Sequence, residues 1–216
     1  MAEYFDVLLI IGLASYYLPF MFVIISLLKK HAKRSSYVRL LFFYISYNGL
    51  TAAVEQFVLY GRINNFNPIY NILTILDFCI IVAIFIKILQ DADKKLLKIL
   101  TFIIIFFAFF SIAELLFVND LLSINIYSNN LSKFLIIIIA SITIYLSEIK
   151  IEISTSQKIF TYTVFMCNIL MLPIAWFEQI IRHVKSDYFD VLWSLNILFV
   201  TFYNLFLTLS LWKLKK

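Results

Sequence analysis

The sequence predicts an all-α, polytopic membrane bundle of seven transmembrane helices, and three observations support this. Of the 216 residues, 63% are hydrophobic and 14% charged, whereas soluble domains keep roughly a quarter of their residues charged. The apolar residues gather into runs of the length a spanning helix requires, roughly 20 residues. Lysine and arginine collect in alternate connections between those runs, the pattern left by a chain that crosses a bilayer repeatedly. A mean hydropathy of +0.95 leaves no water-soluble core that could hide so much apolar surface. Seven spans also consume about 140 positions, so no soluble catalytic or ligand-binding domain is expected within the single transmembrane domain 1–216.

The runs cover 4–28, 38–60, 68–89, 96–118, 131–146, 159–181 and 189–212. The first opens with Glu3 and Asp6 instead of a basic stretch and is too long for a signal peptide, so it reads as a retained helix. Pro68 sits at the start of the third, a position proline tolerates, whereas Pro19 and Pro173 fall inside the first and sixth and should bend them. The fifth is short, and lengthens only if it begins near Ile126. The three glycines, Gly12, Gly49 and Gly61, form no pair at small-xxx-small spacing.

Orientation follows from the cations. With the amino terminus outside, 14 of the 18 Lys and Arg fall on the cytoplasmic side. Lys29, Lys30, Lys33, Arg34 and Arg39 flank the first inner connection, and Lys87, Lys94, Lys95 and Lys98 the second. Lys150 and Lys158 flank the third, and Lys213, Lys215 and Lys216 form the cytoplasmic carboxy-terminal tail. Arg62, Lys133, Arg182 and Lys185 are the 4 left outside. A missed span would scramble every later connection, so the count and the orientation support each other. Trp193 and Trp212 fit interfacial positions at opposite ends of the last helix.

A short internal match adds a second level. Glu55-Gln56 and then Asn71-Ile72-Leu73 are echoed by Glu178-Gln179 and then Asn196-Ile197-Leu198. Read as a repeat, they divide the bundle into a 3+1+3 plan, two parallel three-helix units joined by the fourth helix.

Ionisable residues in hydrocarbon cost roughly 2.5 to 3.5 kcal/mol at a helix centre and so mark inward faces. Asp77 lies nine residues into the third run, about 13 Å deep at 1.5 Å per residue, and is the candidate central charge. Glu55, Glu114 and Glu178 fall near the outer ends of the second, fourth and sixth helices and would form an acidic mouth. Tyr44, Asn48, Thr51 and Glu55 share one helix face, as do Asn168, Met171, Ala175 and Glu178. Asn71, Thr74 and Asp77 on the third helix, and Asn196, Tyr203 and Asn204 on the seventh, complete four polar stripes facing one expected cavity. The competing role for the Asn, Thr and Tyr positions is interhelical hydrogen bonding.

Several chemistries are demoted. His31 and His183 are in different connections, with no HExxH and no ligand spacing for a metal. No glycine-rich loop cradles a phosphate, and no buried serine has a His or Lys base, so neither an enzyme nor a cofactor is expected. Cys79 and Cys167 lie in apolar runs and behave as small hydrophobes without a disulfide. The net charge of +5 sits at span ends and not in a nucleic-acid patch.

In length, topology and 3+1+3 plan the chain resembles the SWEET-type sugar transporters, although Pro19, Pro68 and Pro173 are followed by Phe, Ile and Ile instead of that family's Gln. It shares its topology with microbial rhodopsins, but the seventh helix has no lysine before Lys213 to carry a retinal. The stretch from Glu55 through Asn64-Asn65 and Tyr70 to Asp77 resembles uncharacterised small seven-helix bacterial membrane proteins, which implies bacterial origin. The leading functional expectation is binding, and transport, of a small polar or cationic solute, with Asp77 central, Glu55 and Glu178 at the entrance and Asn48, Asn168 and Asn196 as neutral contacts. The alternative is a membrane anchor, sensor or regulator, such as an accessory component of a bacterial defence or signalling system. It would meet a protein partner or anionic lipid through the basic cytoplasmic face. An intramembrane enzyme acting on lipid ranks third.

Overall fold

The computed structural model describes residues 2–28, 35–59, 67–118, 126–181 and 187–215. These form seven α-helices: α1 (Ala2–Leu28), α2 (Ser36–Leu59), α3 (Asn67–Ile88), α4 (Lys94–Phe117), α5 (Ile126–Ile149), α6 (Thr155–Ile181) and α7 (Asp187–Trp212). A 3₁₀ turn, Lys213–Lys215, follows α7. Within these helices the segments Pro68–Ile88, Lys94–Phe117, Ile126–Ile149, Thr155–Trp176 and Ser194–Trp212 are long and apolar enough to cross a membrane. Helix α1 contributes a shorter apolar stretch, Ile10–Ile24. Large apolar side chains lie on the outside, among them Ile10, Leu50, Phe102, Phe109 and Phe117. In water these would be a liability, and in lipid they are the solvent-facing surface.

The helix starts are built in different ways. Asp93, in an extended conformation (φ −60°, ψ 131°), caps α4 by accepting from the Lys95 N–H at 3.0 Å. Ser154 and Gln157 cap α6 reciprocally: the Gln157 N–H donates to Ser154 Oγ at 3.3 Å and the Ser154 N–H to Gln157 Oε1 at 2.7 Å. Ser35 Oγ accepts from the Val38 N–H of α2 at 3.4 Å. Pro68 occupies the first turn of α3, where no N–H is needed. Pro19 and Pro173 lie within α1 and α6.

The helices group into two compact units, Met1–Ala32 with Ile153–Lys216 and Lys33–Glu152. In the first unit α7 is the hub, packing against α1 and α6. In the second α3 is the hub, packing against α2, α4 and α5, with α4 and α5 also in contact. These groups are not the sequential triplets of a 3+1+3 plan. The matched triplets also pack differently: Asn71 is buried and Ile72 exposed, whereas Ile197 is buried and Asn196 half-buried.

Candidate functional site

Two carboxylates of the α2–α5 unit stand out by the contacts they make. The first is Asp77, midway along the hub helix α3 and half-buried. The carboxy-terminal half of α3 is packed by Phe78, Ile81, Val82, Ile84, Phe85 and Ile88, and the Phe78 ring lies tilted against that of Phe107 of α4 with centroids 4.0 Å apart. Asp77 is the point where this apolar seam gives way to polar contacts. The Tyr44 hydroxyl of α2 donates a hydrogen bond to its carboxylate, and the Lys133 ammonium of α5 is the cation that acts on it. Lys133 also donates to Asn129 Oδ1, one turn earlier on α5.

The position of Lys133 revises the charge reading. Helix α5 begins at Ile126, so Lys133 is seven residues inside it, about 10 Å from its start, and is half-buried. It therefore lies within a segment long and apolar enough to cross a membrane, whereas the sequence reading grouped it with Arg62, Arg182 and Lys185 in the connections. A cation acting on a carboxylate from a neighbouring helix offsets part of the cost of holding that carboxylate away from water. Sequence reading did not single out Lys133. The signal that identifies it is the polar segment Ser128, Asn129, Asn130, helical here and placing the lysine two turns within a span.

The second is Glu114, 3% exposed. Its carboxylate accepts from the Tyr127 N–H at 2.9 Å, from the Ser128 N–H at 2.7 Å and from the Ser128 hydroxyl. It thereby satisfies the free N–H groups at the start of α5 and meets the positive end of that helix. The hydrogen bonds make Glu114 a cap supplied by one helix to another, not part of a solvated acidic mouth. The side chains of Glu55 and Glu178, the other two members of that expected mouth, lie outside the described residues.

The remaining candidates divide between the units. In the α2–α5 unit Asn71 is buried and has a partner, and Asn48 is half-buried. The Tyr47 hydroxyl ties α2 to α3 by donating to the Leu73 carbonyl at 2.7 Å, and Thr51 and Thr74 bond back to carbonyls of their own helices. In the α1–α6–α7 unit Asn168 donates to the Val164 carbonyl one turn back at 2.8 Å, which takes up its amide locally. Asn196 and Tyr203 are half-buried. Asn204 is fully buried, and its Nδ2 donates to Ser15 Oγ of α1 at 3.0 Å, whose hydroxyl in turn donates to the Gly12 carbonyl at 2.6 Å. Its Oδ1 has no partner among the described residues. Ser210 of α7 donates to the Ser156 carbonyl of α6 at 2.9 Å.

These last contacts stitch α7 to its neighbours, and Gly12 shows how closely. A Cβ there would come within 2.6 Å of Ile197 Cγ2, so the absence of a side chain lets α1 and α7 approach. One glycine suffices where no glycine pair exists.

Among the described residues no three His, Cys, Asp or Glu are grouped to hold a metal ion, and Cys79 and Cys167 are free thiols. His31 and His183 lie outside the described residues. No family model, no curated protein and no solved structure matches the chain. The findings establish an integral, multi-pass, all-α membrane protein associated with a lipid bilayer, and nothing among them ties it to SWEET-type transporters or to microbial rhodopsins.

Proposed function

We propose that the chain spans a bacterial inner membrane seven times, amino terminus outside, and binds and passes a small polar solute without catalysing a reaction. Supporting the count, α1 and α2 are 27 and 24 residues long, about 40 and 36 Å at 1.5 Å per residue and thus long enough to join the five apolar spans. Supporting the orientation, the two described links at one end, 89–93 and 150–154, are flanked by Lys87, Lys94, Lys95 and Lys98 and by Lys150 and Lys158. Reporters fused after Lys33, Asp91 and Ile151 should then read as cytoplasmic and one after Asn64 as external. The reverse pattern would overturn the topology.

The observation that carries the binding reading is a carboxylate, Asp77, held within the hub helix α3 with a hydrogen bond from Tyr44 of α2 and the charge of Lys133 of α5 acting on it. The test is ligand-dependent stabilisation of the purified full chain in detergent, which at a hundredfold excess over Kd amounts to about 2.7 kcal/mol. Small amino acids, amines and sugars serve as probes. An Asp77→Asn protein that still inserts and folds should lose the response, and an undiminished response there would remove Asp77 from the site.

A second reading, an anchor or regulator working through a protein partner, is favoured by the exposed Lys94, Lys95 and Lys98 at the start of α4. Reversing those three charges would abolish such a partnership and leave solute-dependent stabilisation untouched.

A further inference from the structure

Helix α4 has two faces of opposite kind. Leu100, Phe107, Ser111 and Glu114 are buried, on a helix that packs against α3 and α5. Half a turn away, at 3.6 residues per turn, lies an exposed stripe of Lys98, Phe102, Ile105 and Phe109, with the exposed Lys94 and Lys95 to either side of its head. The Phe102, Phe106 and Phe110 rings follow one another along the helix, with centroids 6.4 and 6.3 Å apart and interplanar angles of 23° and 25°. From Lys98 to Phe109 is about 16 Å at 1.5 Å per residue, about one leaflet of a hydrocarbon core roughly 30 Å thick.

We infer that this face binds an anionic phospholipid lengthwise, its phosphate held by Lys94, Lys95 and Lys98 and an acyl chain lying along Phe102, Ile105 and Phe109. The site is separate from Asp77 and does not depend on the solute reading. Charge selects this occupant. Lysines at a membrane surface favour anionic lipid by about fivefold each, and an ammonium meets a phosphate as a point charge. Asp91 and Asp93 precede α4, two acids against three lysines, and Asp93 turns its carboxylate to the Lys95 N–H. Lys150, after α5, stands instead between the exposed Glu148 and Glu152, which offset it. A second copy of this chain fits the face less well. Copies inserted the same way up would set lysines against lysines across a symmetric contact. Phe102, Ile105 and Phe109 also stand where close helix pairs in membranes carry small residues.

The experiment adds phosphatidylglycerol or phosphatidylcholine, with identical acyl chains, to the full chain purified in neutral detergent. Native mass spectrometry counts the bound lipid, and thermal unfolding reads its effect. Phosphatidylglycerol should bind at least about tenfold more tightly and raise the midpoint, and its advantage should shrink at high salt. Lys94→Gln, Lys95→Gln and Lys98→Gln together should abolish the advantage and leave the lipid-free midpoint unchanged, since all three side chains are exposed. Lys150→Gln should keep it. Phe102→Ala with Phe109→Ala should weaken the binding of both lipids, and glycerol phosphate, a headgroup without chains, should not compete. Equal binding of the two lipids would overturn the proposal. So would an advantage that survives the triple lysine variant, which would leave those lysines to the protein partner of the second reading. Competition by glycerol phosphate would overturn the lipid assignment in favour of a site for free phosphate esters.

Discussion

The two units share a plan and differ in what they place on it. Each is organised around one hub helix, α3 in one and α7 in the other. Among its described side chains the α7 hub makes neutral polar contacts, which run Asn204 to Ser15 to Gly12 and Ser210 to Ser156. Hydrogen bonds of this kind between membrane helices are worth about 0.6 kcal/mol on average, so they set register more than they supply stability. The α3 hub carries Asp77, on which the charge of Lys133 of α5 acts, and Glu114 of α4 accepts from the start of α5. Among the described side chains, then, the α2–α5 unit holds carboxylates within its helices at a cost that must be met by their contacts, and the α1–α6–α7 unit is joined by uncharged groups.

The sharpest way to break that contrast is at Glu114. Glu114→Ala strips the acceptor from two backbone N–H groups and a hydroxyl at a buried site, at roughly 1 kcal/mol or more for each stranded donor. A loss of about 3 to 4 kcal/mol is expected, read as a lower unfolding midpoint and faster proteolysis around residue 125. Glu114→Gln should lose about half as much, since one of its two polar atoms still accepts. If Glu114→Ala costs less than about 1 kcal/mol, the start of α5 does not depend on α4.

Next comes the pair itself. Asp77→Asn and Lys133→Gln should each destabilise the protein by about 1 to 3 kcal/mol. Asp77→Asn combined with Lys133→Gln should recover most of it, and the non-additivity measures the coupling. Additive losses would show that the two residues are neighbours without being partners.

In the α1–α6–α7 unit the expected effects are smaller and steric. Gly12→Ala drives a methyl to within 2.6 Å of Ile197 Cγ2, and the β-branched, buried isoleucine has little freedom to yield. Overpacking of this kind costs about 1 to 3 kcal/mol. Gly12→Ala with Ile197→Leu, which conserves volume and removes the branch at Cβ, should restore at least half of the loss in the same unfolding assay.

What the sequence made legible follows the range of the interactions involved. Apolar runs report helices because burial in lipid is a local property of a segment, and the five apolar spans coincide with such runs. The start of α5 was legible only as the alternative near Ile126, because the residue that accepts from its first N–H groups is Glu114, on another helix. Read without that partner, the polar residues look like a connection, the run begins at 131, and Lys133 passes for an outer-loop cation. Polar stripes are legible to the extent of their helical spacing, which places residues on a face without saying what that face meets. Asn168 shares a stripe with Glu178 and still spends its amide on Val164 of its own helix. The division into two units was likewise hidden, since it joins α1 to helices more than 120 residues away.

Asn204 gives the smallest expected effect and the finest test of the comparison. Asn204→Leu is nearly isosteric, gives up the hydrogen bond to Ser15 and removes a buried oxygen that has no partner among the described residues. The first change costs about 0.6 kcal/mol, and the second returns part or all of it, because an unpaired buried polar atom is itself a cost of about 1 to 3 kcal/mol. The net should lie within about 0.5 kcal/mol of zero, on either side. A loss above about 2 kcal/mol would mean that Oδ1 is satisfied in the working protein by a bound donor. The α7 hub would then hold a site of its own, and the contrast with the α2–α5 unit would fall.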